Sequence, residues 1–79
     1  MAISTLPFSR LRQLLLDLHF EEKTGPAAQR IFEHPPSETV FLFRRYKSTE
    51  HVNMADLVSV RKQLDERGLL ATDSFDHLL

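Results

Sequence analysis

The segment Thr39–Tyr46 (TVFLFRRY) limits the possible folds of this chain more than any other part of its sequence. β-Branched and aromatic residues dominate the segment, which predicts a strand. Because side chains alternate between the two faces of a strand, two apolar pairs point in opposite directions: Val40 with Leu42, and Phe41 with Phe43. One face is expected to meet helices, and the other needs a partner chain, the C-terminal tail or a flat ligand as its cover.

A first helix is predicted before this strand from apolar residues spaced three and four apart, namely Phe8, Leu11, Leu15 and Leu18. Ser4 or Thr5 is expected to cap it, and Pro7 suits its first turn because proline has no N–H that needs a partner. A second helix is predicted after the strand, with Asn53 as its cap and Gly68 at its end. Its apolar stripe is Leu57, Val60 and Leu64.

Two shorter strands are predicted between the first helix and Thr39. The first covers Phe20–Thr24 and ends at the turn Gly25-Pro26, where glycine can take a positive φ. The second covers Ala28–His34 and ends at Pro35-Pro36, because proline cannot donate to a ladder. The predicted fold is therefore α+β in the order α-β-β-β-α, a three-stranded antiparallel sheet with two helices packed on one face.

A chain of 79 residues is long enough to bury one hydrophobic core. We expect a single domain over residues 1–79, with its core over about 5–70 and a C-terminal tail over 71–79 that can place Phe75 and Leu78 on the outer apolar pair. No export signal is evident, since Arg10 and Arg12 interrupt the apolar start, and no stretch of roughly 18 apolar residues suits a membrane span. We therefore expect no membrane association, and because a chain without cysteine forms no disulfide, we expect a cytoplasmic location.

Positive charge is concentrated in the region of the predicted sheet. Five cations lie between residues 23 and 47, where the carboxylates are Glu33 and Glu38. The predicted nucleic-acid-binding site consists of these cations and a tyrosine ring on which an unpaired base can stack: Lys23, Arg30, Arg44, Arg45, Tyr46 and Lys47. The alternative is that cations at the end of a strand keep a sheet edge soluble and discourage aggregation.

Two sequence motifs fit the predicted order of elements. The first covers the turn and the second strand, GPAAQRIFEHP over residues 25–35, and the other covers the second helix, LVSVRKQLDERGLL over residues 57–70. Together they resemble the HicA (YcfA-like) family of small toxins of toxin-antitoxin systems, and the likeness extends from Leu11 to Leu70. The resemblance implies a fold like that of double-stranded-RNA-binding domains, a messenger-RNA cleavage activity and an antitoxin partner. In that family a glycine-serine-histidine sequence precedes an isoleucine-phenylalanine strand, and the histidine is catalytic.

This chain departs from the family pattern at the catalytic position. Aligning Ile31 and Phe32 with the family strand places Ala28 at the serine and Gln29 at the histidine or immediately beside it. An amide has no proton that titrates near neutrality, so Gln29 cannot act as the general base in RNA cleavage. His34, at the end of the second predicted strand, is the alternative base, although a histidine before two prolines is usually a turn residue.

Three functions follow from these features. The first is a small RNA-binding domain that has lost catalysis. The second is a protein-interaction module, a homodimer or a complex with an antitoxin-like protein, which uses apolar residues of the third strand: Phe41, Leu42 and Phe43. The third is an active ribonuclease that uses His34. We expect no cofactor and no metal, because the sequence has no glycine-rich phosphate loop, no cysteine and no HxxxH spacing.

Overall fold

The computed structural model describes residues 5–77. The helices are α1 (Phe8–Asp17), α2 (Met54–Glu66) and α3 (Thr72–Asp76), and the strands are β1 (Glu21–Thr24), β2 (Arg30–His34) and β3 (Thr39–Phe43). A turn over Pro26–Ala28 and a single 3-10 turn over Pro35–Ser37 connect the strands. The α+β prediction in the order α-β-β-β-α is confirmed, and α3 is an addition within the predicted tail.

The sheet is antiparallel in the order β1-β2-β3, so β2 is central and β3 lies at an edge. β2 begins two residues later than predicted because Ala27 and Ala28 adopt left-handed φ angles of 56° and 60°, which regular strands do not contain. Gly25 keeps a negative φ of −95°. Glycine fits this position because of its small size, since a Cβ atom there would lie 2.7 Å from Ile31 Cδ1.

β3 ends at Phe43, three residues before the predicted end, because the chain turns there. The Tyr46 amide donates to the Arg44 carbonyl at 2.7 Å, and the Tyr46 side chain is buried in the core. The Phe8 ring lies 5.2 Å from the Tyr46 ring and 5.7 Å from the Phe43 ring, so α1 packs against the inner face of the sheet. Phe32 and Phe41 are buried on the same face.

The start of α1 is stabilised by tertiary contacts and not by the predicted side-chain cap. Thr5 Oγ1 donates to the Val52 carbonyl at 2.7 Å, and Ser4 lies outside the described residues. The amides of Phe8 and Ser9 donate to the carbonyls of Glu50 and Ser48, at 2.8 and 3.0 Å. Backbone carbonyls of the loop before α2 therefore satisfy amides that a capping side chain would otherwise bind.

Both ends of α2 follow the prediction. Asn53 Oδ1 accepts from the Asp56 amide at 2.8 Å, and the apolar stripe Leu57, Val60 and Leu64 is buried. After the helix, Gly68 has a φ of 69°, and the Leu69 amide donates to the Leu64 carbonyl at 2.9 Å. This is a Schellman ending, in which glycine takes the left-handed conformation that costs other residues free energy. α1 ends in the same way, but with His19 at a φ of 70°.

Within residues 5–77, the C-terminal segment that includes α3 docks onto the helices, and the other side of the sheet stays open. α3 packs against α2, and Phe75 is 1% exposed within the same core. Val40 and Leu42, which alternation along the strand turns away from the core, are 48% and 61% exposed, so Phe75 does not cover them. Leu78, the second predicted cover, lies outside the described residues. No helix within residues 5–77 has both the length and the hydropathy needed to cross a bilayer.

Candidate functional site

The outer side of the sheet, which we call the open face, carries the side chains that alternate away from the helices. The register places Leu42 opposite Ile31 and Val40 opposite Glu33, while Ile31 lies opposite Lys23 on the other side. The part of the open face on β2 and β3 is therefore apolar around Ile31, Val40 and Leu42. Of the three predicted interaction residues, only Leu42 is exposed, because Phe41 and Phe43 are buried in the core.

The charged part of the open face lies toward β1 and neutralises itself. Lys23 Nζ lies 2.5 Å from Glu33 Oε1, and this hydrogen bond raises the pKa of Lys23. Lys23 thus interacts with a carboxylate of its own sheet, so it adds little net positive charge to the predicted nucleic-acid site.

The two edges of the sheet differ in chemistry. β1 (EEKT) carries charges along its length, as edge strands commonly do to prevent pairing with other chains. β3 (TVFLF) has no charged residue and no proline, and its outer edge pairs with no strand in the described part of the chain. An uncharged edge strand beside exposed apolar side chains is a suitable surface for pairing with another chain.

Tyr46 is a core residue and is not available to stack on a base, contrary to the prediction. Its side chain is 1% exposed and its ring is stacked on Phe8. The hydroxyl donates to Asp56 Oδ2 at 2.6 Å and accepts from the Asn53 amide at 3.1 Å. These bonds connect the segment after β3 to the start of α2.

Arg30 also lies on the helix side of the sheet and not on the open face. Its guanidinium is 4.8 Å from the centre of the Phe8 ring, and Nε donates to the Tyr46 carbonyl at 3.0 Å. Nη1 lies 3.3 Å from a Glu22 oxygen, while the other Glu22 oxygen binds Arg12 at 2.8 Å. Arg30 therefore covers the rim of the core and shares one carboxylate with Arg12.

Arg44 and Arg45 are the predicted site residues that the structure brings together. They line a shallow depression with Pro26, Ala27 and Gln29, so both arginines lie beside the residue aligned with the family's histidine. Arg44 also forms a salt bridge with Glu50, and its guanidinium is 4.4 Å from the centre of the Tyr46 ring. The Lys47 amide and then Arg44 lower the pKa of Glu50.

His34, the last residue of β2, is held by contacts with the turn that follows it. Its Nδ1 and Ser37 Oγ are 2.7 Å apart, Ser37 Oγ is 2.7 Å from Thr39 Oγ1, and the His34 ring packs 5.1 Å from Phe20. These contacts support the structural role of a turn residue. Within residues 5–77 no group of three or more histidine, aspartate or glutamate side chains is arranged to hold a metal ion.

The partners of the predicted cations were not apparent from sequence. Glu22 and Glu50 bind arginines that lie 6 to 10 positions away along the chain, and no local motif marks these pairs. Comparison of the chain with protein-family models, with curated proteins and with solved structures finds no match. The resemblance to HicA toxins therefore stays a prediction from the two sequence motifs.

Proposed function

We propose that this protein is a protein-interaction module that binds its partner through the β3 part of the open face. The exposure of Val40 and Leu42, at 48% and 61%, on an uncharged edge strand is the observation that carries this proposal. Fully burying a valine or leucine side chain contributes roughly 1.5–3 kcal/mol, so a partner that covers both gains substantial binding free energy. The edge of β3 adds backbone N–H and C=O groups for pairing.

The arrangement of charge favours this function over binding to a polyanion. Lys23, Arg30 and Arg44 each interact with a glutamate of the same chain, which reduces the positive potential that the sequence predicted. The buried Tyr46 ring removes the predicted stacking platform. A chain without cysteine needs no oxidising compartment, which supports the expectation of a cytoplasmic location.

Exposed apolar residues on different elements provide a matched test. We suggest purifying the tagged wild-type protein from its native host, with Leu42→Ser and Val58→Ser variants, and measuring the mass of each by sedimentation equilibrium. Val58 is 51% exposed on α2 and not on the sheet, so it controls for the loss of one exposed apolar side chain. We expect the wild type and Val58→Ser to sediment as a complex and Leu42→Ser to sediment as a monomer. A wild-type monomer, or a complex that persists in Leu42→Ser, contradicts the proposal.

A second candidate function is RNA binding without cleavage at the depression beside Gln29. The observation that favours it is that Arg44 and Arg45 line this depression together, next to the position of the family's catalytic histidine. Two adjacent guanidinium groups suit phosphate oxygens, which they bind in bidentate geometry. The absence of an imidazole at Gln29 supports a role in binding and not in cutting.

Fluorescence anisotropy with a labelled single-stranded RNA tests this second function. Affinity is expected to fall as salt rises, and Arg45→Ala is expected to reduce the salt slope by about 1 while Lys62→Ala on α2 leaves it unchanged. Expression of Gln29→His, followed by measurement of growth and RNA integrity, tests the lost activity. No salt-dependent binding in the wild type, or equal effects of Arg45→Ala and Lys62→Ala, contradicts RNA binding at this depression.

A further inference from the structure

We propose that the partner of β3 is a second copy of this chain, paired antiparallel through a two-fold axis at Phe41. This inference rests on the proposed function and names the occupant of the β3 edge. Such pairing joins the two three-stranded sheets into one continuous sheet with both helical layers on the same side. The open faces then form one surface, on which Val40 of each copy packs beside Leu42 of the other, so each side chain covers part of its neighbour's exposed apolar area.

The register follows from the pattern of residues around Phe41. A two-fold axis there places Val40 opposite Leu42 of the second copy, and Thr39 opposite Phe43. Two residues that lie opposite each other in an antiparallel pair have their side chains on the same side of the sheet. An axis that passes between two residues is therefore excluded, because it would place a residue of the inner face opposite a residue of the open face. An axis at Val40 would set Leu42 against Glu38, and an axis at Leu42 would set Val40 against Arg44. Only the axis at Phe41 gives both apolar residues of β3 on the open face, Val40 and Leu42, an apolar residue as their opposite.

Charge complementarity supports the same register. Glu38 immediately precedes β3 and Arg44 immediately follows it, so each lies three positions from Phe41. Both residues lie just outside the strand, Glu38 with a left-handed φ of 55°, so the two-fold axis brings the Glu38 end of each strand beside the Arg44 end of the other and places opposite charges together twice. Glu38 is exposed and forms no salt bridge within residues 5–77.

The existing contacts of Arg44 leave room for this second carboxylate. Arg44 binds Glu50 through Nη2, and its side chain remains 58% exposed. A guanidinium has five N–H donors, so it can bind two carboxylates at once.

Pairing through β3 closes the assembly at two copies. The free edges of the joined sheet would both be β1, whose charged residues oppose further pairing. One five-residue strand from each copy makes a small interface, so we expect a reversible dimer and not an obligate one.

Charge-reversal variants test the register because the two single variants complement each other. In Glu38→Lys alone, the introduced lysine would face Arg44 twice, and in Arg44→Glu alone, the introduced glutamate would face Glu38 twice. A mixture of the two variants instead forms a dimer with two pairs of opposite charge. The introduced lysine of one copy meets the introduced glutamate of the other, and the native Arg44 meets the native Glu38. Sedimentation equilibrium is expected to show a dimer weakened on the order of tenfold in each single variant, and a mixed dimer with wild-type affinity when they are combined. Thermal unfolding by circular dichroism checks that each variant folds.

Introduced cysteines test the register independently, because the chain has no cysteine of its own. Directly opposite residues in an antiparallel pair have Cβ atoms about 4.5–5.5 Å apart, and diagonal residues are about 7–8 Å apart. Since a disulfide needs Cβ atoms within roughly 4.5 Å, Val40→Cys mixed with Leu42→Cys is expected to cross-link faster than either variant with itself. Equal rates in all three samples would overturn the register.

The results separate this inference from the proposed function. A wild-type chain that stays monomeric alone but binds another host protein through Leu42 would overturn the inference and leave the proposed function standing. The inference is also overturned if the dimer depends on Leu42 but its affinity does not change in the charge-reversal variants and its cross-linking rate is the same at every cysteine position. If Leu42→Ser changes no association of any kind, both fail. Mixed-dimer rescue, together with preferential cross-linking of Val40→Cys to Leu42→Cys, supports the inference.

Discussion

The Tyr46 hydroxyl donates a hydrogen bond of 2.6 Å to Asp56 Oδ2, which joins the segment after β3 to the first turn of α2. The same hydroxyl accepts from the Asn53 amide at the N-terminal cap of that helix. The ring beneath it is stacked on Phe8 of α1. A residue that the sequence assigned to a binding surface thus connects the sheet to both long helices.

We predict that Tyr46→Phe destabilises the domain although it keeps the buried ring. The change removes one donor and one acceptor and leaves the Asp56 carboxylate and the Asn53 amide without this partner, at a cost of about 1–3 kcal/mol. Urea unfolding measures the loss. Asp56→Asn keeps an acceptor for the hydroxyl and is expected to lose less. Equal stability of Tyr46→Phe and wild type would show that the hydroxyl contributes nothing.

We expect Phe75→Ala to destabilise the protein by about 3 kcal/mol or more, because its ring is enclosed between α3 and the core. Phe75→Leu keeps a large apolar side chain and should retain most of the stability. Both are measured by thermal or urea unfolding, with the exposed Asp73→Ala as a control. If Phe75→Ala unfolds like the control, the tail does not belong to the folded domain.

Gly68→Ala is expected to lower the free energy of unfolding by about 1 kcal/mol. The loss comes from backbone strain and not from a steric clash, because Gly68 has a left-handed φ of 69° and an added Cβ atom would contact no atom within 4 Å. Ala55→Gly serves as the control, because it exchanges the same two residue types in the opposite direction at an exposed position with a helical φ, in the first turn of α2. No loss in Gly68→Ala would mean that the end of α2 relaxes freely.

The opposite substitution at the end of α1 should stabilise the protein. His19 adopts the same left-handed conformation, with a φ of 70°, and its side chain is exposed. Glycine relieves that conformation, so we expect His19→Gly to raise the free energy of unfolding by about 0.5 kcal/mol. His19→Ala, which keeps the strain and removes only the ring, serves as its comparison. A His19→Gly variant less stable than His19→Ala would contradict the strain at this position.

Acid should weaken the attachment of the loop that precedes α2. The Lys47 amide and then Arg44 lower the pKa of Glu50 below its ordinary value of 4.5. A carboxylate with a depressed pKa in the folded state contributes stability above its ordinary pKa, and this contribution is lost as pH falls through the folded-state value. We therefore expect Glu50→Gln to flatten the decline of stability as pH falls below the ordinary glutamate pKa of 4.5. Urea unfolding across this range measures it, and an unchanged slope would exclude Glu50 as a contributor.

Local sequence patterns determined the elements of this fold. The three-and-four spacing of Phe8, Leu11 and Leu15 specified the buried side of α1, and alternation in Thr39–Phe43 specified two faces of β3. Asn53 and Gly68 marked the ends of α2 correctly. These features are readable because periodicity and capping act between residues a few positions apart.

Only the tertiary structure decided which charged and aromatic side chains remain available for binding. Arg30 bonds to the Tyr46 carbonyl across 16 positions, and Arg44 and Lys23 each interact with a glutamate beyond the reach of a local motif. The turn after Phe43 sends Tyr46 inward, where the ring is desolvated and the hydroxyl finds Asp56. Such contacts depend on how the elements pack, because burial and ion pairing are settled between segments that meet only in the folded chain.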